Sequence, residues 1–363
     1  MNAALPAVPQ FGLINLLKVV AAQLIVLHHL AFYGPMADHV RPMLPALVDW
    51  LASRARIAVQ VFLVVAGFLA ARSLSPDGHA GHSDPLGALW RRYAKLAPPF
   101  VAATLIAAIA SSWAGAWMTH DSISDGFTIE QLLAHGLLLH GVLDYPSISA
   151  GAWYVAIDFQ LYALTVGLLW LAGHVADRER RPLLAPLLVA LGMTASLLVF
   201  NLDAELDDWA LYFFGSYGMG LMAWWASDRR RRPLVIMLLV LLTLVPALVA
   251  LALDFRSRIA LALMVACALF LFGRMKVKAS GRLGSAIDAL ARSSYSMFLI
   301  HFPVSLLINA GFTRFAPPDP LWQGSGMLLA WSASIAAGVA FYRWVEAPLG
   351  QAMHGISLRR ARA

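Results

Sequence analysis

The sequence has little charge and almost no cysteine, and both shortages narrow what the protein can be. Asp, Glu, Lys and Arg make up 13% of the 363 residues, about half the share in an ordinary soluble domain. The single cysteine, Cys267, excludes an internal disulfide. The net charge is +7, but the basic residues recur in short clusters between apolar segments. That distribution is typical of membrane topology, so we do not expect nucleic acid as a partner.

What the chain has instead is apolar sequence. Hydrophobic residues make up 60% of it, and the mean hydropathy is +0.70. Runs of about 17–25 apolar residues are long enough to cross a bilayer as helices. We therefore predict an all-α, polytopic membrane protein with about ten transmembrane helices, of which the fifth and eighth are short. The ten segments lie near residues 12–33, 55–74, 94–117, 152–173, 183–200, 209–226, 234–253, 258–273, 294–312 and 322–345.

The loops between these segments differ in basic residues. One set of loops and ends carries 20 of the 27 Lys and Arg residues, and the opposite set carries six. The positive-inside rule then predicts that both termini are cytoplasmic in the cell inner (plasma) membrane. We predict one transmembrane domain over residues 1–350, followed by a basic cytoplasmic tail over 351–363. The six basic residues of the opposite set are Arg41, Arg54, Arg56, Arg256, Arg258 and Arg314.

The first apolar segment carries polar side chains that a simple anchor would not need. Lys18 and His29 are eleven residues apart, which on a helix is three turns plus roughly 20°, with about 16 Å along the axis. Both side chains therefore share one face, whereas His28 lies about 80° away. Polar groups at membrane depth are costly and usually line a cavity or a pathway. This segment is the first place to look for chemistry.

Two later segments add ionisable residues at membrane depth. Asp158 lies in the fourth, with Tyr162 one helical turn further on, and His301 lies in the ninth. A buried carboxylate needs a partner or takes up a proton, so Asp158 either forms an ion pair between helices, for example with Lys18, or serves a site. His301 is either a packing residue or a functional one.

Charged residues also flank two of the segments. Arg91 and Arg92 precede the third. They either anchor the helix at the cytoplasmic face or hold a phosphate-bearing ligand. At the end of the tenth segment, Glu346 is spaced to pair with Arg343 at i, i+3.

Six motifs, in order along residues 12–350, resemble the acyltransferase 3 family of integral-membrane acyltransferases. The family's Arg-x10-His appears as LLKVVAAQLIVLHH, and its Ser-Gly-Phe-Leu appears as VFLVVAGFLAARSL. The third span follows WRRYAKLAPP, and the fourth has Trp, an acid and Tyr in WYVAIDFQLY. SYSMFLIH and Glu-Ala-Pro complete the series. The chain departs from the family at Lys18 (Arg), Ala66 (Ser) and Asp158 (Glu).

The resemblance implies an O-acyltransferase, and we expect an acetyl group. The donor would be acyl-CoA, and the acceptor a hydroxyl on a surface polysaccharide or lipid-linked glycan. Acyl-CoA is a co-substrate here, so we expect no bound cofactor and no metal. His29 is the candidate general base, Asp158 would orient a histidine, and Lys18 completes the catalytic set. The expected substrate-binding residues are Arg91, Arg92, Tyr162, His301 and Glu346.

Two other functions remain open from the sequence. A proton-coupled secondary transporter could use Lys18, Asp158 and His301 as a proton relay, although the two halves of the chain show no inverted repeat. The chain could also be an accessory membrane subunit that has lost activity, because the three departures fall in the family's motifs.

Overall fold

The computed structural model describes residues 12–79, 84–124, 126–175, 181–275 and 281–360. Within these ranges the chain forms fifteen α-helices and no strand. The basic residues at 178, 180, 276, 278 and 362 lie outside the described residues. The helices are α1 (Gly12–Phe32), α2 (Pro35–Val40), α3 (Pro45–Ser53), α4 (Val59–Leu74), α5 (Pro85–Gly115), α6 (Ile129–Gly136), α7 (Ala152–Val175), α8 (Arg181–Leu198), α9 (Ala210–Ala226), α10 (Pro233–Leu253), α11 (Ser257–Phe272), α12 (Gly281–Arg292), α13 (Ser294–Phe315), α14 (Pro320–Phe341) and α15 (Ala347–Arg360).

Among the residues that the structure describes, eight stretches of helix are long and apolar enough to cross a membrane. They contain α1, α4, α5, α7, α8, α10, α13 and α14, which confirms a polytopic helical membrane protein. The predicted sixth and eighth segments correspond to α9 and α11, which have 17 and 16 residues. The predicted count of ten and the cytoplasmic location of both termini stay predictions.

The short helix α9 lies at the centre of the protein. Every residue from Tyr212 to Ala226 is buried, and α9 packs against α4, α8 and α11. Because protein surrounds it, its length of about 26 Å does not have to match the bilayer. A Cβ added at Gly67 would lie 2.0 Å from the carbonyl oxygen of Tyr217, and one at Gly220 would lie 2.0 Å from that of Val64. These glycines let α4 and α9 approach backbone to backbone.

Helices α1 and α13 run parallel and in register, which positions the polar residues of both. Near one end, Asn15 donates at 2.8 Å to Asp288, which lies in α12 just before α13; near the other end, Asn309 donates to the carbonyl oxygen of Tyr33. The paired positions differ in sequence by 273 and 276 residues. His29 and His301 therefore meet between these two contacts.

Several segments that do not span the membrane lie on the side of the protein where α1 ends. We call this side the outer face; it comprises residues 33–58, 118–124, 126–151, 199–209, 254–258 and 314–319. It holds α2 and α3, together with α6, which Thr128 caps by accepting a hydrogen bond from the amide of Gln131. The positive-inside rule predicts that the outer face lies outside the cytoplasm.

Candidate functional site

A pair of histidines joins α1 to α13. Nδ1 of His29 lies 2.6 Å from Nε2 of His301, and the two rings stack with their centroids 4.9 Å apart. Nδ1 of His301 lies 2.8 Å from the carbonyl oxygen of Phe298. His301 is fully buried, and both of its nitrogens are used within the protein. The predicted contact between His301 and substrate stays a prediction.

The hydrogen bonds determine which nitrogen of each neutral ring carries the proton. A carbonyl oxygen only accepts, so Nδ1 of His301 must donate to Phe298. Nε2 of His301 is then an acceptor, and Nδ1 of His29 must donate to it. That leaves a lone pair on Nε2 of His29. A histidine whose tautomer is fixed in this way is arranged to accept a proton.

His29 lines a cavity of about 1490 Å³ that opens toward the outer face. The same cavity is lined by His28, by Trp153 at the start of α7 and by Phe298. Nδ1 of His28 lies 2.9 Å from the carbonyl oxygen of Leu51, so His28 also contacts α3. The volume exceeds that of most small-molecule sites. It is large enough for an extended ligand beside His29.

Four arginines also line the cavity: Arg54, Arg56, Arg256 and Arg258. Sequence reasoning counted them only as part of the small basic set in the outer-face loops. The sequence did contain a signal for these arginines as candidate site residues. Basic residues are rare in the loops outside the cytoplasm, so the positive-inside rule does not explain arginines in those loops.

Asp158 lies deeper in the protein and has a different partner from those predicted. It forms an ion pair with Arg92 across α7 and α5, and not with Lys18 or a histidine. The Arg92 guanidinium also lies over the ring of Tyr162, 5.3 Å from its centroid. Oδ1 of Asp158 and Nε of Arg92 are buried without a hydrogen-bond partner. Each of these two atoms could therefore form a hydrogen bond that no described side chain provides.

Lys18 belongs to a third group, close to the start of α13. Its Nζ donates to the carbonyl oxygen of Ala291 at 2.8 Å. Lys18 and Lys95 both interact electrostatically with Glu346, which accepts a hydrogen bond of 2.5 Å from Ser296. Glu346 therefore pairs across helices, whereas the sequence suggested Arg343.

Arg91 and Arg92 are adjacent in sequence but separate in space. Arg91 is exposed and pairs with Asp84 at 3.1 Å, while Arg92 turns inward to Asp158. Consecutive residues on a helix point about 100° apart, so the two guanidiniums do not form one clamp for a single phosphate.

Aromatic side chains separate the histidine pair from the Arg92–Asp158 pair. Tyr154 and Phe298 lie edge to face with centroids 5.3 Å apart, and Phe62 contacts both. Phe298 in turn lies 6.0 Å from His301. Tyr154 is one helical turn before Asp158. Phe62, Tyr154 and Phe298 therefore form an aromatic layer between the two polar groups.

Within the described residues, no group of three His, Cys, Asp or Glu side chains is arranged to hold a metal ion. The arrangement is that of a proton acceptor at a large cavity, with buried charged groups behind it.

Comparison with protein families shows the family to which the chain belongs. The model of an acyltransferase domain family, acyltransferase 3, matches residues 12–342, nearly the whole chain. The chain therefore belongs to this family, as its motifs predicted, and family membership implies a membrane acyltransferase. Comparisons with curated proteins and with solved structures gave no match.

Proposed function

We propose that this protein moves an acyl group, expected to be acetyl, from acyl-CoA to a hydroxyl of a surface polysaccharide or lipid-linked glycan. The observation that carries the proposal is the ordered pair of His29 and His301 at a cavity on the outer face. A glycan assembled outside the cytoplasm would reach that cavity without crossing the membrane. The proposal locates the protein in the inner (plasma) membrane, with both termini cytoplasmic.

The chemistry follows from the lone pair on Nε2 of His29. The acceptor hydroxyl attacks the thioester carbonyl carbon, forming a C–O bond, while its proton passes to Nε2. The tetrahedral intermediate then collapses, the C–S bond breaks, and the thiolate of CoA takes the proton back from His29. The hydrogen bond from Nδ1 to His301 fixes the tautomer of the neutral ring before the reaction and the orientation of the ring throughout it.

On the donor side, the proposal uses the buried charges near the opposite end of α1. Lys18 and Lys95 supply positive charge there, and Lys18 is about 16 Å along the helix axis from His29. Phosphates of acyl-CoA would be held near these groups. The pantetheine arm would extend past the aromatic layer of Phe62, Tyr154 and Phe298 toward His29. Arg92 and Tyr162 would line that path, and Asp158, which forms an ion pair with Arg92, would keep it in place instead of orienting a histidine.

The transporter alternative receives less support from the geometry. A relay through Lys18, Asp158 and His301 needs these groups to exchange protons, yet each is bonded to a different partner. The aromatic layer also lies between Asp158 and His301. An accessory subunit that has lost activity would have no need of a histidine pair with a single defined tautomer.

Mass spectrometry of surface glycans tests the proposal. Cells that express the wild-type chain should show glycans heavier by one acyl group, and cells that express His29→Ala should not. The added mass identifies the acyl group, and its position identifies the acceptor hydroxyl. Identical glycan masses with and without the wild-type chain, together with proton-coupled solute uptake that needs no CoA, would support the transporter instead.

A further inference from the structure

The arginines of the cavity are unusual for the face on which they lie. Outer-face loops carry only six basic residues, and four of them line this one cavity. We call Arg54, Arg56, Arg256 and Arg258 the arginine wall. The other two are elsewhere: Arg41 pairs with Asp38 and Asp49, and Arg314 ends α13. The positive-inside rule disfavours arginine on this face. The concentration of four arginines in one cavity is therefore better explained by binding of a ligand.

The members of the arginine wall come from two adjacent turns. Arg54 and Arg56 flank Ala55 at the short 3₁₀ turn Ala55–Ala58, and the start of α11, with Arg258, contacts that turn. Arg56 lies close enough to His28 for their charges to interact. Positive charge therefore begins at His28, the residue before the proposed catalytic His29, and continues along one side of the cavity.

Part of the arginine wall is fixed and part of it is available. Arg256 donates to Asn201 and to the carbonyl oxygen of Leu197, and Arg258 donates to the carbonyl oxygen of Asn201. In the described part of the chain, Arg54 and Arg56 are exposed and have neither an ion pair nor a side-chain hydrogen bond. Two guanidiniums with unused donors, backed by two that are held in place, form a built anion site.

The carboxylates of the cavity do not neutralise the arginine wall. Asp121, Asp207 and Asp208 also line the cavity, but the described ion pairs of the wall are limited to Arg256 with Asp254. Asp208 instead has carboxylate neighbours: burial, Asp207 and Asp144 raise its pKa. The cavity therefore keeps a basic side that faces the ligand.

From these observations we infer that the acceptor is an anionic glycan, whose phosphate or carboxylate group binds Arg54 and Arg56 and so holds a hydroxyl near His29. This inference rests on the proposed function and specifies its acceptor class. Guanidinium groups bind both anions through paired hydrogen bonds. The anion arrives either as the diphosphate of a lipid-linked glycan or as the carboxylate of a hexuronate sugar.

Binding to the full chain in lipid nanodiscs tests this inference without any acyl donor. The anionic probes are a polyprenyl diphosphate N-acetylglucosamine and a hexuronate oligosaccharide. Each is matched to a neutral probe, the polyprenyl glycoside without diphosphate or the methyl ester of the oligosaccharide, and affinities are measured by titration calorimetry. The wild type should bind at least one anionic probe about tenfold or more tightly than its neutral match, since one charge-assisted hydrogen bond is worth about that factor. The probe with the larger difference identifies the source of the anion.

The double variant Arg54→Gln/Arg56→Gln should remove that difference and leave affinity for the neutral probes unchanged. Arg41→Gln/Arg314→Gln is the matched control: it removes the same charge from the same face outside the cavity and should behave as wild type. Equal affinity of the wild type for anionic and neutral probes would overturn the inference, as would full anionic binding by the Arg54/Arg56 variant. A chain that acylates glycans yet shows either result refutes the anionic acceptor and leaves the proposed function intact.

Discussion

His301 provides a demanding test of the histidine pair, because the structure gives it a role through His29 and no contact of its own with the cavity. His301→Ala removes the acceptor that lies 2.6 Å from Nδ1 of His29. Leaving a buried donor unpaired costs about 1–3 kcal/mol, and the freed ring can also adopt the other tautomer. At about 1.4 kcal/mol per tenfold in rate, turnover should fall roughly 5- to 150-fold.

The assay is acyl transfer by purified protein at varied acceptor concentration. Since His301 positions the base, His301→Ala should lower kcat and leave KM for the acceptor nearly unchanged. His301→Gln should recover much of the loss, because its amide oxygen can accept the hydrogen bond from His29. A folded His301→Ala protein with wild-type kcat would refute this reasoning. If His301→Ala instead raises KM and His301→Gln does not lower it again, the result would support the prediction that His301 contacts substrate.

Three further predictions concern the surroundings of the site. Arg92→Gln leaves the buried carboxylate of Asp158 unpaired and should lower the free energy of unfolding by about 3–5 kcal/mol; Arg92→Gln/Asp158→Asn should recover most of it in a chemical-denaturation assay. Gly67→Ala forces a Cβ against backbone and should destabilise by about 1–3 kcal/mol or more, whereas Gly167→Ala, with open space around it, should not lower the thermal midpoint. Both ring nitrogens of His140 are buried and unbonded, and burial lowers its pKa to about 3. The unfolded chain binds a proton near pH 6.5 that the folded chain excludes, so stability should fall as pH decreases, by about 2 kcal/mol at pH 5; His140→Leu should remove that loss, and equal acid sensitivity in both proteins would contradict the assignment.

The sequence predicted the helical architecture well because its signals are local. Apolar runs give the positions of helices α1, α7 and α13 directly, and the eleven-residue spacing of Lys18 and His29 gives their common face. The sequence did not predict that α9 is the buried helix at the centre of the protein. A helix that is apolar on every face has no amphipathic pattern, so its sequence does not indicate which face packs against which neighbouring helix.

The partners of the polar residues could not be predicted for a related reason. The sequence offers several cations as possible partners of Asp158. The packing of α5 against α7 determines that the partner is Arg92. The meeting of His29 with His301 depends on the parallel register of α1 and α13, which brings together residues 272 apart. The family motifs identified both histidines, and the fold determined which one faces the cavity.

Acyl transfer by the purified chain in proteoliposomes tests the central claim most directly. Radiolabelled acetyl-CoA is supplied on the side of the basic loops and a glycan acceptor on the side of the outer face, and label in the acceptor is counted. The wild type should transfer label across the membrane. His29→Ala should transfer it about 10²–10⁴-fold more slowly at normal protein level and insertion, while His28→Ala should keep most of the wild-type rate. Turnover by purified His29→Ala at the wild-type rate would contradict the account, because no general base would then act at the cavity where the structure provides one.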